Sequence, residues 1–273
     1  MSLCLVTMFK NEAHIIKEWI EHYLKQGVDK FFMIDNDSND NYLDFLKPYI
    51  EKNIVDLVID TKKHAQIELY NKHYLEKSKG YDWVMVVDLD EFIYARNGFH
   101  TIKEYLSTID NKVSQIFIPW KIFGSNGNVT QPECVIKNFT MRINYDKKDG
   151  FQGVIKERDE IYSFTKTIVR TKFLISFGIH NHKTNVKKYI TSDGQCDSIH
   201  NNVSFAKINE NILKQSNLHL NHYAIQSYSW FMKIKSTRGD SATASSDFVR
   251  DEKYFRQFDA VSNNILDLEL CKQ

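Results

Sequence analysis

Four cysteines stand far apart in the 273-residue chain, Cys4, Cys134, Cys196 and Cys271, with no Cys-x-x-Cys pair among them. That spacing excludes a disulfide framework and suits thiols kept reduced in a cytosol. No run approaches the ~20 apolar residues that a membrane span requires. The N-terminal stretch Leu3 to Met8 meets Lys10, Asn11 and Glu12 too soon for a signal segment, and it reads as a buried first strand. The expectation is a cytoplasmic protein, or a catalytic domain cut from a longer one, with peripheral contact to a membrane surface left open. Charge of one sign is lacking too: 36 Lys plus Arg nearly balance 35 Asp plus Glu, so nothing calls for a nucleic-acid partner. Walker A, Gly-x-Gly-x-x-Gly and Gly-x-Ser-x-Gly motifs do not occur, which removes the usual signatures of ATPases, dinucleotide enzymes and serine hydrolases. Internal repeats and low-complexity linkers are also missing.

Hydrophobic residues make up 42% of the chain, enough for a sizeable α/β domain. Strand-like runs at Leu3 to Met8, Lys30 to Asp35, Ile54 to Asp60, Trp83 to Asp88 and Val113 to Trp120 alternate with helical periodicity, the pattern of βαβ units and a mostly parallel sheet. Helices are expected over Glu12 to Gln26, Tyr42 to Lys52 and Ala65 to Lys79. Beyond Trp120 the winding stops, and segments such as Phe164 to Ile175 alternate more like antiparallel strands. The last clear helix is expected over Gln226 to Thr237, followed by an Asn-rich tail from Ala260 that frays. The division this suggests is an α/β half at 1–125, a differently textured region of the same domain at 126–259 and a tail at 260–273.

The chemistry concentrates where the buried run Trp83-Val84-Met85-Val86-Val87 gives way to Asp88-Leu89-Asp90-Glu91-Phe92. Ligands of open α/β sheets collect at the carboxyl ends of strands. Two aspartates one residue apart can both reach a hard divalent cation there, Mn²⁺ or Mg²⁺, while Leu89 packs the other way. Such a cation neutralises the charge of a pyrophosphate leaving group; solvated carboxylates capping a strand are the plainer alternative. A second acidic cluster, Asp35-Asn36-Asp37-Ser38-Asn39-Asp40, fails as an EF-hand because Asp40 and Leu46 occupy its glycine and glutamate positions. It is either a turn that binds a base or ribose or an Asx-rich turn. Phe123 to Gly127 is likewise either a ligand-approaching loop or a tight turn. His180-Asn181-His182 on an extended segment would place both rings on one face, but no cysteine or carboxylate at ligand spacing completes a zinc site. Trp120, Tyr223 and Trp230 are candidates for stacking on sugar rings.

Thr7 to Glu12, Glu18 to His22, Gly27 to Phe31 and Asp35 to Asp40, with Asp88 to Phe92, Trp120 to Gly127 and Asn221-His222-Tyr223 leading to Ser227, Phe231, Lys233 and Arg238-Gly239, together resemble the GT-A-fold glycosyltransferases of the family 2-like and family 92 group. The resemblance implies a Rossmann-like α/β fold, with residues 1–125 as the nucleotide-sugar-binding half and 126–259 as a smaller antiparallel acceptor-side region of the same domain. It also implies metal-dependent transfer from a nucleotide-sugar donor, UDP-linked by preference, to a glycan or other hydroxyl acceptor. Asp88 and Asp90 would hold the metal against the diphosphate, with His222 where related enzymes bring a histidine to the metal. Asn11, Glu12, Asp35 and Asn36 would line the nucleotide pocket, and Lys233 and Arg238 would offset phosphate charge. Direct displacement would invert the anomeric centre, with Glu91 or Asp240 as base. One departure is Asn36, where many family 2 members carry a second aspartate; its amide can still pair with a uracil edge. Competing readings are a nucleotidyltransferase that makes nucleotide-sugars, though the Gly-rich basic loop after the first strand is absent, and a non-catalytic carbohydrate-binding module of the same fold.

Overall fold

A computed structural model of the chain describes residues 1–147, 153–196, 199–200, 203–239, 241 and 250–273. The expected first half is present: strands β1 (Leu3–Phe9), β2 (Lys30–Asp35), β3 (Val55–Ile59) and β4 (Trp83–Val86) are linked by helices α1 (Ala13–Lys25), α2 (Tyr42–Glu51) and α3 (Gln66–Ser78). These strands pair in parallel in the order β3-β2-β1-β4. Strand alternation sorts the core between the two faces of the sheet. Leu3, Leu5, Met33 and Met85 pack with Ile16, Trp19 and Ile20 of α1, whereas Cys4, Val6, Ile34 and Val84 pack with Leu69, Tyr70 and Tyr74 of α3. Each such side chain, fully buried, contributes roughly 1.5–3 kcal/mol relative to exposure.

The later chain extends the same sheet. Strands β5 (Glu91–Ala95), β6 (Gln115–Ile122), β7 (Glu160–Arg170) and β8 (Leu218–His222) continue it in the order β4-β7-β6-β8-β5. β7 runs antiparallel between β4 and β6, and β8 runs parallel to β6 and antiparallel to β5. Strands from either side of residue 125 therefore share one sheet.

The C-terminal part differs from expectation in three ways. The helix expected over Gln226 to Thr237 is shorter, α4 (Tyr228–Lys233), and a 3₁₀ turn follows at Lys235–Thr237. A further helix, α5 (Glu252–Val261), packs Phe255 and Phe258 against Trp230 and Phe231. The tail expected to fray is tied down. Ile265–Leu266 pairs with Met141–Arg142, and Asp267 accepts from Arg142 Nε at 2.8 Å while lying 3.0 Å from the buried Lys121 ammonium. Glu269 binds Arg96 at 2.8 Å. Burying these cations without anionic partners would be costly, so the tail completes the core.

The Phe123-to-Gly127 segment is a docked turn. Gly124 packs so closely on Asn263 that a Cβ would come within 2.4 Å of its side chain. Ser125 N donates to Asp259 at 2.7 Å, and Asn126 N donates to Asn263 at 3.0 Å. The cysteines Cys4, Cys134, Cys196 and Cys271 are unpaired. Among the described residues no helix is long and apolar enough to cross a membrane.

Candidate functional site

β4 ends at Val86, and the chain turns through Asp88, Leu89 and Asp90 before β5 begins. Leu89 is buried in the core on the α1 side, and it also borders the cavity that the carboxylates line. The turn is fastened from α1: the Trp19 indole N–H lies 3.1 Å from both Asp88 O and Glu91 O, and Tyr23 OH donates to Glu91 O at 3.0 Å. β8 brings His222 opposite Glu91 in register, and Tyr223 N donates to Asp90 O at 2.8 Å. His222 Nε2 thereby comes within 3.7 Å of Asp90 Oδ1.

A cavity of about 690 Å³ opens beside this turn, at the carboxyl ends of β1, β2 and β4. Asp88, Asp90, His222, Glu12, Asn36 and Arg238 all line it, so six of the residues read from the sequence converge on one space. Cations meet the carboxylates there. Lys166 of β7, wholly buried, bonds Asp88 Oδ2 at 2.9 Å and lies 3.5 Å from Glu91 Oε2. Lys235 bonds Asp90 Oδ2, and Arg238 bonds Glu12 Oε1 at 2.6 Å. Both of the last two cations also lie over the Trp230 ring, 5.7 and 5.4 Å from its centre. Burial would raise the Asp90 carboxyl, but Lys235 and His222 overcome it and hold the group well below the usual carboxylate range. Burial pushes the His222 imidazole down despite Asp90.

Other residues read from the sequence lie elsewhere or do other work. Glu91 is fully buried beneath the turn, where its Oε2 accepts from Asp88 N at 2.9 Å. One ammonium there serves two carboxylates, and burial, opposed by Lys166, pushes the more distant Glu91 up to about 8. Glu91 does not line the cavity, so the structure places it as a brace of the turn. Asp240 lies outside the described residues. Lys233 is exposed and away from the cavity; because the helix gives way to a 3₁₀ turn, Lys235 faces inward instead.

Asp35 is buried, accepting from Tyr42 OH at 2.9 Å and from Ser38 N at 2.9 Å. Asn11, at φ 54°, accepts from Asn39 N at 2.8 Å, and Asp40 accepts from Ala13 N at the start of α1 at 2.8 Å. The Asp35-to-Asp40 cluster is thus an Asx-rich turn locking β1 to β2, and it leaves Asn36 facing the cavity. Asn36 Nδ2 donates to Asp60 O and Lys62 O at 2.7 and 3.0 Å, which fixes the amide and turns its Oδ1 to other partners.

At the opposite end the cavity meets an aromatic wall. Trp120 stands 5.2 Å from Phe164, and His180 stacks flat on Phe164 at 4.4 Å and 12°. Gly153 at φ +85° lies beneath Trp120, where a Cβ would sit 3.2 Å from the indole. Tyr223 and Trp230, by contrast, are buried in the core. The two histidines of His180-Asn181-His182 part company: His182 is buried, accepting from Gly178 N at 3.1 Å, and burial lowers it to about 3. The kink at 178–182, where a Cβ on Gly178 would come within 2.2 Å of Asn181 O, defeats the extended geometry on which a shared face depended.

Among the described residues no three His, Cys, Asp or Glu side chains converge as a ready-made metal cage. A divalent cation on a diphosphate needs only one or two carboxylates, the phosphate oxygens and water supplying the rest. Asp90 and His222 offer an oxygen and a nitrogen from one wall, and His222 Nδ1 and Glu12 Oε2 are buried with no hydrogen-bond partner among the described residues. The donor set fits such an ion, with Lys235 occupying the Asp90 oxygen that it would share.

Lys166 and Lys235 escaped the sequence reading. Lys166 lies inside a β-run with buried Thr165 and Thr167 on either side, and a lysine there is a signal in itself, because it must meet an anion.

A family model described as glycosyltransferase family 92 matches residues 1–256. A glycosyltransferase family 92 protein of Ricinus communis is 25% identical over 202 residues, covering 70% of this chain and 33% of that protein. A second, from Oryza sativa subsp. japonica, is 25% identical over 147 residues, covering 52% of this chain and 25% of its own length. The chain thus spans a third or less of these relatives. Among solved structures, S. aureus TarS in complex with UDP-GlcNAc is similar at 18% identity and a TM-score of 0.41, over 70% of this chain and 58% of that one.

Proposed function

This chain belongs to glycosyltransferase family 92, and from that premise we propose that it transfers a sugar from a nucleotide-sugar, UDP-linked by preference, to a hydroxyl of a glycan or similar acceptor. The observation that carries the reading is the meeting of Asp88, Asp90 and His222 with Lys235 and Arg238 around one cavity at the carboxyl ends of parallel strands. The nucleoside lies toward β1 and β2, where Asn36 Oδ1 accepts the N3–H of uracil. Lys235 and Arg238 face the diphosphate, and Asp90 with His222, assisted by Asp88, would hold Mn²⁺ or Mg²⁺ against it. When bound, that ion supplies charge neutralisation for the leaving diphosphate. Trp120 and Phe164 offer flat faces to the acceptor's ring. Attack from that wall on the anomeric carbon, opposite the diphosphate, inverts the centre.

The test is a thermal-shift screen of UDP-, GDP-, CMP- and dTDP-sugars with and without Mn²⁺. A ligand at 100 times its Kd stabilises by about 2.7 kcal/mol. The expected outcome is a metal-dependent rise in Tm with UDP-sugars, lost in Asp88→Ala and Asp90→Ala. Stabilisation by none of the four classes, or by UDP-sugars equally in both variants, overturns the reading.

A further inference from the structure

Transfer to a hydroxyl requires a group that accepts its proton, and the carboxylates around the cavity are poorly suited to it. Glu12 is held by Arg238, Asp88 by Lys166 and Asp90 by Lys235, so an oxygen of each carboxylate is already engaged by a cation. Glu91 is sealed beneath the turn. His222 turns its Nε2 toward Asp90, and its Nδ1 is buried.

His180 is different. It lines the cavity, and its Nδ1 lies 2.9 Å from the carbonyl oxygen of Thr165. A carbonyl only accepts, so the proton sits on Nδ1 and the lone pair is left on Nε2. The ring is locked by its stack on Phe164 and its edge contact with Trp120, 5.5 Å between centres. Nε2 makes no protein hydrogen bond among the described residues and is not closed off from the cavity. The charged and titratable groups facing the ring are Lys166 from β7, Asp88 from the acidic turn and His222 from β8. Burial, then Lys166, lowers the imidazole to about 4, which keeps it neutral at physiological pH. A diphosphate entering the cavity adds negative charge and moves it back up, toward the range where a base works best.

We propose that His180 is the general base of the transfer, with the acceptor's sugar ring resting on Trp120 and Phe164 beside it; the assignment rests on the glycosyl-transfer reading above. The acceptor oxygen forms its bond to the anomeric carbon as its proton passes to His180 Nε2. The bond from that carbon to the phosphate oxygen breaks, and its electron pair leaves with the nucleoside diphosphate. The imidazolium then returns its proton to solvent.

Water serves as the acceptor in the test. UDP released from UDP-glucose and UDP-N-acetylglucosamine is followed for the wild type, His180→Asn and His180→Ala, with donor-induced thermal shifts measured on the same samples. His180→Asn retains an N–H for Thr165 but loses the Nε2 lone pair. The expected result is a fall in turnover of about 10²–10⁴-fold, unchanged donor-induced stabilisation, and loss of the acid limb of the pH profile. Added imidazole should restore part of the rate in His180→Ala, which a purely structural role would not allow. Undiminished UDP release by His180→Asn overturns the assignment. Absence of any donor stabilisation in the wild type instead overturns the glycosyl-transfer reading itself. If the wild type releases no UDP onto water, ¹⁵N chemical shifts of the His180 ring decide: a proton on Nδ1 with an unprotonated Nε2 at pH 7 supports the proposal, and the opposite tautomer or an imidazolium overturns it.

Discussion

Lys235 defines the site at the scale of single residues. Its ammonium bonds Asp90 Oδ2 and lies 5.7 Å from the centre of the Trp230 ring. A cation reaching Asp90 must displace or share with it. Lys235→Met is therefore expected to tighten Mn²⁺ binding to the nucleotide-free protein about tenfold, equivalent to about 1.4 kcal/mol, while weakening binding of UDP. Electron paramagnetic resonance of free Mn²⁺ and calorimetry with UDP read the two effects separately; unchanged Mn²⁺ affinity would refute the competition. The acidic pair was legible because it follows an uninterrupted buried strand, and Glu12, Asn36, His222 and Arg238 were legible through their ordered blocks. Lys235 was missed in favour of Lys233 because an unbroken helix was expected to continue to Thr237. Two residues along a helix point to nearly opposite faces, so the break after Lys233 decided which lysine turns inward.

At the scale of elements, the C-terminal segment carries a second consequence. Asp267 sits between Lys121, which is 1% exposed, and Arg142, at 9%. Burial would raise its carboxyl, but Lys121 and then Arg142 depress it below the usual range. A depressed carboxylate contributes stability above its unfolded value, and that contribution is lost as pH falls below about 4. Asp267→Asn should cost roughly 1.5–3 kcal/mol at neutral pH, because each cation loses one of two carboxylates, Lys121 keeping Glu269 at 3.7 Å and Arg142 keeping Glu210 at 2.8 Å. It should also flatten the acid limb of a Tm-against-pH curve, and an unaltered limb would show that the cluster titrates elsewhere. Local pattern revealed the strands of the first half because each is flanked by its own crossover helix. It did not reveal β5 and β8, which pair with each other across more than a hundred residues. Nor did it reveal α5, whose apolar face is satisfied by Phe231 and Trp230 of a separate helix.

The molecule as a whole is organised by one sheet, in which β7 from the later chain lies between β4 and β6. That insertion depends on pairing between segments about eighty residues apart, such as Met85 with Ile168, and no local periodicity encodes it. The division expected near residue 125 should accordingly be invisible in unfolding. Trp19, Trp83 and Trp120 report on the first half, and Trp230 on the second. Single-tryptophan variants from the two halves should lose fluorescence at the same denaturant midpoint, coincident with far-UV circular dichroism. Separate midpoints would mean that the halves open independently.

The indole and phenol that bolt the acidic turn to α1 also bear on how a ligand is met. With Trp19 bridging two backbone carbonyls and Tyr23 both donating to Glu91 O and accepting from Ile93 N at 2.9 Å, that corner arrives at the encounter already rigid. Its disorder was surrendered when the chain first collapsed, so the heat released on recognition measures new contacts and displaced water with little loop entropy to set against them.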